Sequence, residues 1–131
     1  MQAPLPKHVT FYIAITCLIF LFSCNLSDDA KQLPGGHTYV NEGRCYKYIL
    51  VNIKGVSDIE SCVSEYKCDD DYVTVAQIDE QKCIQSAIIS KTDKKFFIID
   101  NKKEQLLGPF SHTDFKTTFE TLRINKNLFL E

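Results

Sequence analysis

The sequence lacks the short motifs that mark common catalytic sites. It contains no G-x-S-x-G, the turn that presents the nucleophile in many serine hydrolases, and no H-E-x-x-H of zinc proteases. No two cysteines are spaced C-x-x-C, a spacing that is typical of thiol oxidoreductases and structural zinc sites. We therefore expect a protein without enzymatic activity and without a metal or other cofactor.

The sequence also lacks an excess of positive charge. It has 15 lysines and arginines against 17 aspartates and glutamates, a formal net charge of −2 at pH 7. Nucleic-acid-binding surfaces are usually basic, and anionic lipid attracts polybasic segments. The composition argues against nucleic acid as a partner and against membrane docking by charge alone.

No uncharged apolar run in the sequence reaches the length that a membrane-spanning helix usually needs. The most apolar stretch covers residues 9–23, whereas a membrane-spanning helix needs roughly 20 such residues. Lys7 precedes the stretch, and Asp28 and Asp29 follow it in place of a basic stop-transfer segment. This order is typical of a secretory signal. We predict a signal peptide over residues 1–23; the alternative is an uncleaved, short membrane anchor.

The end of this stretch indicates a lipid anchor. The sequence Leu21-Phe22-Ser23-Cys24 resembles the lipobox of bacterial lipoproteins, which predicts Cys24 as the lipidation site. Each buried methylene contributes about 0.8 kcal/mol, so two or three acyl chains hold a protein on a membrane. We interpret residues 24–36 as a lipidated tether, because Pro34-Gly35-Gly36 interrupts regular structure.

The residues after Cys24 also suggest a location. Asn25-Leu26-Ser27-Asp28-Asp29 resembles the acidic sorting sequence of some Gram-negative lipoproteins. That sorting sequence directs those lipoproteins to the outer membrane or the cell surface. We expect a lipid-anchored protein of the bacterial cell envelope, on the periplasmic or surface face of the outer membrane. The membrane is then a partner through the lipid on Cys24.

Four further cysteines are candidates for disulfides: Cys45, Cys62, Cys68 and Cys83. An even number in an exported chain favours disulfides, and four cysteines allow three pairings; buried free thiols are the alternative. Cys62 and Cys68 flank one predicted strand, in which they would be about 20 Å apart, whereas a disulfide needs Cα atoms within roughly 7 Å. We predict that these two are not bonded to each other.

Segments rich in aromatic and β-branched residues alternate with short polar turns, a pattern typical of antiparallel strands. The predicted strands cover residues 37–40, 45–53, 61–67, 72–78, 83–90, 95–100 and 105–110. Residues 45–53 carry apolar groups on both faces, which favours a central strand. Asp69-Asp70-Asp71 lacks the spacing and glycine of a calcium loop, so we interpret it as a hairpin turn.

The hydrophobic period changes near the C-terminus. Ser111 is a suitable N-cap with Asp114 three residues later, and the pattern predicts a helix over residues 112–123. Its apolar stripe should face the core: Phe115, Phe119 and Leu122. We expect His112, in the first turn, to be exposed. The predicted fold is a single α+β domain over residues 37–131: an antiparallel β-meander of about five to seven strands with one C-terminal helix packed on the sheet.

Two blocks of the sequence resemble a family of small bacterial lipoproteins that is known only as a domain of unknown function. The first block is residues 63–77, and the second comprises residues 96–100, 108–111, Phe115 and 127–130. The resemblance covers residues 33–131, although Cys68 stands where the family often has an aromatic residue. It implies a lipobox, a β-rich fold and an envelope location, and it brings no activity.

The expected function is therefore that of a non-catalytic binding or structural module on the envelope. An exposed sheet edge would suit an envelope protein partner that adds a strand. The alternative is an immunity-type or inhibitor protein that neutralises a partner at the membrane; a small envelope enzyme is the third candidate. An immunity protein should be encoded beside its toxin, whereas a structural module should co-purify with envelope proteins.

Overall fold

The computed structural model describes residues 29–85 and 88–131. Within these ranges the chain forms a three-stranded and a four-stranded antiparallel sheet. The first, sheet A, has the order β1-β2-β3: Asp29–Gln32, Thr38–Asn41 and Lys47–Leu50. The second, sheet B, has the order β4-β5-β6-β7: Val63–Cys68, Tyr72–Ile78, Lys94–Asp100 and Gln105–Phe110. The predicted α+β meander is confirmed, with its strands divided between two sheets.

Residues 29–36 belong to the folded domain. β1 pairs antiparallel with β2, from Asp29 opposite Asn41 to Gln32 opposite Thr38. Leu33 is buried, and Pro34–Gly36 form a 3-10 turn into β2. The interpretation of this part of the chain as a tether is therefore wrong from residue 29 onward. The predicted signal peptide, Cys24 and residues 25–28 lie outside the described residues.

β3 is an edge strand of sheet A, which corrects the prediction that residues 45–53 form a central strand. Its apolar character has another cause. Ile49 exchanges two backbone hydrogen bonds with Ile59, at 2.9 and 3.0 Å, which covers part of the outer side of the strand. Ile49 and Val51 enter the core that sheet A shares with sheet B.

Sheet B contains the most deeply buried strand, β5, where Val73 to Ala76 are all buried. One of its faces packs in the core shared with sheet A, and the other packs under the C-terminal segment. Asp69 closes the β4–β5 hairpin, because its Oδ1 accepts the backbone N–H groups of Asp71 and Tyr72, both at 2.9 Å. The predicted hairpin turn at residues 69–71 is thus confirmed.

A short helix, α1 (Glu80–Ile84), occupies the start of the segment predicted as a strand over residues 83–90. Asp79 caps it by accepting the N–H of Gln81 at 2.9 Å and that of Lys82 at 3.4 Å. Residues 88–90 are irregular, and residues 86 and 87 are outside the described ranges. The strand prediction is wrong here because the aspartate N-cap favours a helical turn.

The predicted C-terminal helix is present as α2, His112–Thr121, with Ser111 as its N-cap. Phe115 and Phe119 are buried, as predicted, and Phe115 stacks on Phe96 of β6 with ring centroids 4.8 Å apart. Such aromatic contacts add stabilisation beyond the burial of area. In residues 29–85 and 88–131, no helix is both long and apolar enough to cross a bilayer.

Candidate functional site

Three of the four predicted disulfide cysteines meet at one place. Cys45 and Cys83 form a disulfide, with Cα atoms 5.8 Å apart and a sequence separation of 38. The Sγ of Cys62 lies 3.1 Å from the Sγ of Cys83. All three sulfur atoms lie within 4.8 Å of one another. The structure therefore contains a disulfide with a third sulfur in contact.

Each of these cysteines is held by a different element. Cys45 lies in the β2–β3 turn, which two backbone hydrogen bonds close at Glu42–Tyr46 and Gly43–Tyr46. Cys62 precedes β4, where its backbone pairs with Ile78 at the end of β5. Cys83 lies in α1, directly after β5. The cluster joins sheet A to sheet B and to the connection between β5 and β6.

The surroundings of the cluster are mostly apolar. Cys45 and Cys62 are each 2% exposed and pack with Ile78, whereas Cys83 is half-buried. Burial raises the pKa of the Cys62 thiol; Lys47 opposes this shift and Glu80 adds to it. Cys62 is therefore a protonated, weakly nucleophilic thiol near neutral pH. Three thiolates would be available to a soft metal ion only after reduction of the disulfide.

Cys68 does not join the cluster. It is a half-buried free thiol at the end of β4. Cys62 is also free, so the prediction that Cys62 and Cys68 are not bonded to each other is confirmed. The structure has one disulfide among the four candidates, and the alternative of free thiols applies to the other two.

Exposed apolar side chains follow the two disulfide cysteines in the sequence. Tyr46 follows Cys45, Ile84 follows Cys83, and Ile88 and Ile89 lie further along the same β5–β6 connection; all four are exposed. We call the β2–β3 turn (residues 42–46) together with the described residues 79–85 and 88–93 the disulfide end of the domain. Scattered exposed apolar residues are ordinary, but a group at one end indicates a contact surface.

The first described residue, Asp29, lies at this same end. In sheet A, Asp29 pairs with Asn41, and Asn41 pairs with Lys47, so these three residues form one row across the sheet. The β2–β3 turn lies directly beyond that row. The described chain therefore begins, at Asp29, beside the disulfide end. Leu50, which is also exposed, lies at the opposite end of β3.

A cavity of about 460 Å³ lies where α2 begins, lined by Lys91, Thr92, Lys94, Ser111, His112 and Thr113. The prediction that His112 is exposed is wrong. His112 is half-buried, with edge-on contacts to the rings of Phe96 and Phe129, and its Nε2 has no hydrogen-bond partner among the described residues. Burial lowers the pKa of His112, and Lys91 and two other lysines lower it further.

These elements define a small two-sheet α+β domain whose distinctive chemical feature is its sulfur cluster. The chain belongs to the family described as "Protein of unknown function (DUF3997)", whose model matches residues 43–131. The resemblance to a domain of unknown function is thereby confirmed. No curated protein and no solved structure matches the chain.

Sequence reasoning selected all three cysteines of the cluster but not their arrangement. Tyr46, Ile84, Ile88 and Ile89 were not predicted as a surface group, because residues 45–53 and residues 83–90 were predicted as two strands. The aspartate at position 79, followed by Glu80, was the available signal for a helix start.

Proposed function

We propose that the protein is a lipid-anchored protein of the bacterial cell envelope, and that its domain is a non-catalytic binding module docked on the membrane by the disulfide end. One observation carries this proposal. Asp29, which follows Cys24 by five positions in the sequence, lies beside the end that exposes Tyr46, Ile84 and Ile88.

The length of chain before β1 supports close contact with the membrane. Four residues, 25–28, separate Cys24 from Asp29. An extended chain advances at most about 3.6 Å per residue, so Asp29 lies within roughly 18 Å of Cys24 whatever the conformation between them. A lipid on Cys24 would hold the disulfide end at the bilayer surface.

The chemistry of this end suits the membrane–water interface. A tyrosine has an apolar ring with a polar tip and is favoured at that level of the bilayer, and exposed isoleucines bury apolar area there. Lys91 lies in the 3-10 turn Lys91–Asp93, in the connection that carries the isoleucines, and Lys94 is the first residue of β6. The same end also carries Glu42, Asp79, Glu80 and Asp93, so its docking rests on apolar contact and on the lipid rather than on an excess of positive charge.

For a protein partner, β1 is the most suitable edge among the described strands. All four residues of β1 are exposed, and the strand pairs only with β2. Of the two outer strands of sheet B, β7 contains Pro109, which has no N–H to offer an added strand, and β4 contacts β3 and the C-terminal 3-10 turn. β1 retains both donors and acceptors and can accept a strand from a partner.

The anchor is tested first by the intact mass of the full-length gene product purified from membranes. We expect the mass of residues 24–131 plus a diacylglycerol and acyl chains, and release from the membrane in the Cys24→Ser variant. Reduction should add about 2 Da, since opening one disulfide adds two hydrogens. A mass equal to the whole unmodified chain would contradict the lipid anchor.

Docking of the disulfide end can be tested with an introduced fluorophore, because the chain has no tryptophan. Ile88→Trp places a single probe at a site that is 99% exposed, and Leu50→Trp is the matched control at the opposite end of β3, where the side chain is 42% exposed. In the lipidated protein on phosphatidylethanolamine–phosphatidylglycerol vesicles, we expect a blue shift and quenching by brominated lipid for Ile88→Trp only. Equal, water-like emission from both probes would contradict docking by this end.

The partner is tested by photocrosslinking in cells. A photoreactive residue at Ala30, in β1, should form a discrete crosslinked product, whereas the same residue at Lys103, in the β6–β7 turn, should not. An envelope protein in the product supports a binding module, and a toxin encoded beside this chain supports the immunity-type alternative. Equal products at both positions would contradict strand addition on β1.

A further inference from the structure

In the sulfur cluster, one sulfur atom, the Sγ of Cys83, is close to the other two sulfur atoms. The Sγ of Cys83 is bonded to Cys45 and lies 3.1 Å from the Sγ of Cys62. Cys62 is a free thiol and is 2% exposed, so this contact lies inside the domain. Thiol–disulfide exchange requires contact between a thiol sulfur and a disulfide sulfur, and Cys62 and Cys83 make that contact.

We propose that Cys83 exchanges its disulfide partner between Cys45 and Cys62. In this step the thiol of Cys62, which is protonated near neutral pH, first loses its proton, and the resulting thiolate attacks the Sγ of Cys83 and forms a new S–S bond. The bond between Cys83 and Cys45 breaks, and its electron pair leaves on the sulfur of Cys45. Cys62 gives up one proton and Cys45 takes up one, so the step needs no external oxidant or reductant.

The two disulfide isomers, Cys45–Cys83 and Cys62–Cys83, differ little in the entropy of the loops that they close. The Cys45–Cys83 bond closes a separation of 38 residues and a Cys62–Cys83 bond would close one of 21. Loop entropy depends only on the logarithm of loop length, so this difference favours neither bond strongly. Cys45 and Cys62 are equally buried, so the thiol that is freed remains shielded in either isomer.

The exchange changes which parts of the fold are linked. The Cys45–Cys83 bond joins the β2–β3 turn of sheet A to α1, which follows β5 of sheet B. A Cys62–Cys83 bond would instead join α1 to the residue that precedes β4, within the sheet B half. Exchange therefore releases the turn that carries Tyr46 from its covalent link. This inference does not depend on the lipid anchor.

Tryptic peptide mapping of the full-length protein tests the exchange, because lysine and arginine separate all four cysteines. Cys45, Cys62, Cys68 and Cys83 fall in peptides 45–47, 55–67, 68–82 and 83–91. The protein is equilibrated in a mildly alkaline glutathione buffer, quenched with acid, unfolded and alkylated at low pH. We expect two linked pairs in the digest: 45–47 with 83–91, and 55–67 with 83–91. Finding only the first pair would overturn the proposal.

Two variants and one internal control sharpen the result. Cys62→Ser should give only the 45–47 pair, and Cys45→Ser should give only the 55–67 pair. Cys68→Ser should leave the mixture of the wild type unchanged, and any wild-type peptide linked through Cys68 would reveal scrambling and overturn the assignment. The wild-type digest decides by itself, so a variant that fails to fold does not weaken the test.

Discussion

The imidazole of His37 donates a hydrogen bond from Nε2 to Oδ1 of Asn101 over 3.0 Å and links the two sheets of the domain. The other ring nitrogen, Nδ1, accepts the backbone N–H of Asn52 at 2.9 Å, which fixes the proton on Nε2. His37 is 1% exposed and precedes β2, whereas Asn101 follows β6. The histidine thus has a structural role with both nitrogens satisfied.

Replacing His37 should weaken the contact between the sheets. In His37→Ala the hydrogen bonds to Asn52 and Asn101 are both lost, and each contributes about 0.5–1.5 kcal/mol. Asn101→Ala should cost less, because Nδ1 of His37 still accepts from Asn52. Urea unfolding of both variants and the double variant measures the coupling. Equal free energies of unfolding for wild type and His37→Ala would contradict this role.

The local patterns of the sequence predicted most of the fold. Alternating apolar residues located β5 and β6, and Ser111 with the Phe115–Phe119 spacing located α2. β1 was missed because Asp29–Gln32 are exposed on both faces and show no alternation. α1 was missed because the short, partly apolar segment at residues 83–89 matches a strand as well as a short helix.

The site was less predictable than the fold, because its contacts are distant in sequence. Strand geometry excluded one cysteine pairing, since residues within a single strand have known separations. The contact of Cys62 with Cys83, 21 residues apart, depends on how the β5–β6 connection folds back. The same holds for His37 and Asn101, which are 64 residues apart. Neither contact has a local signal.

Gly108 should be intolerant of alanine because of a close approach between strands. Its φ is +116°, and a Cβ would lie 2.6 Å from the carbonyl oxygen of Phe96. Gly43 is the matched control: its φ is +111°, but nothing lies within 4 Å of a Cβ. Both alanine variants have backbone strain, so the extra loss in Gly108→Ala should be about 1–3 kcal/mol from overpacking. Thermal unfolding compares them, and equal losses would contradict the steric explanation.

His112 should make the stability depend on pH. Burial, followed by the charges of Lys91, Lys116 and Lys94, lowers its pKa from 6.5 in the folded state. The unfolded chain therefore binds a proton at a higher pH than the folded chain does. The contribution of His112 to the free energy of unfolding should be fully present above pH 6.5 and should decrease as the pH drops from 6.5 toward the pKa of the folded state.

His112→Gln is the variant that tests this dependence. It removes the titrating group, so the slope of stability against pH just below 6.5 should flatten relative to wild type. Denaturant unfolding at several pH values measures the slope, and the control is Lys126→Gln, an exposed change in the C-terminal 3-10 turn formed by Lys126–Leu128. An unchanged slope in His112→Gln would assign the pH dependence to other groups.

Replacing Cys83 with serine should destabilise the domain more than replacing Cys45 with serine. Cys83→Ser removes the atom shared by both isomers and should lower the free energy of unfolding by about 2–4 kcal/mol, the usual contribution of one disulfide. Cys45→Ser should lower it much less under oxidising conditions, because Cys62 can bond to Cys83 in its place. With a reducing agent present, this difference between the two variants should disappear. If Cys45→Ser is as destabilising as Cys83→Ser under oxidising conditions, Cys62 does not replace Cys45, and the sulfur contact is only a packing contact.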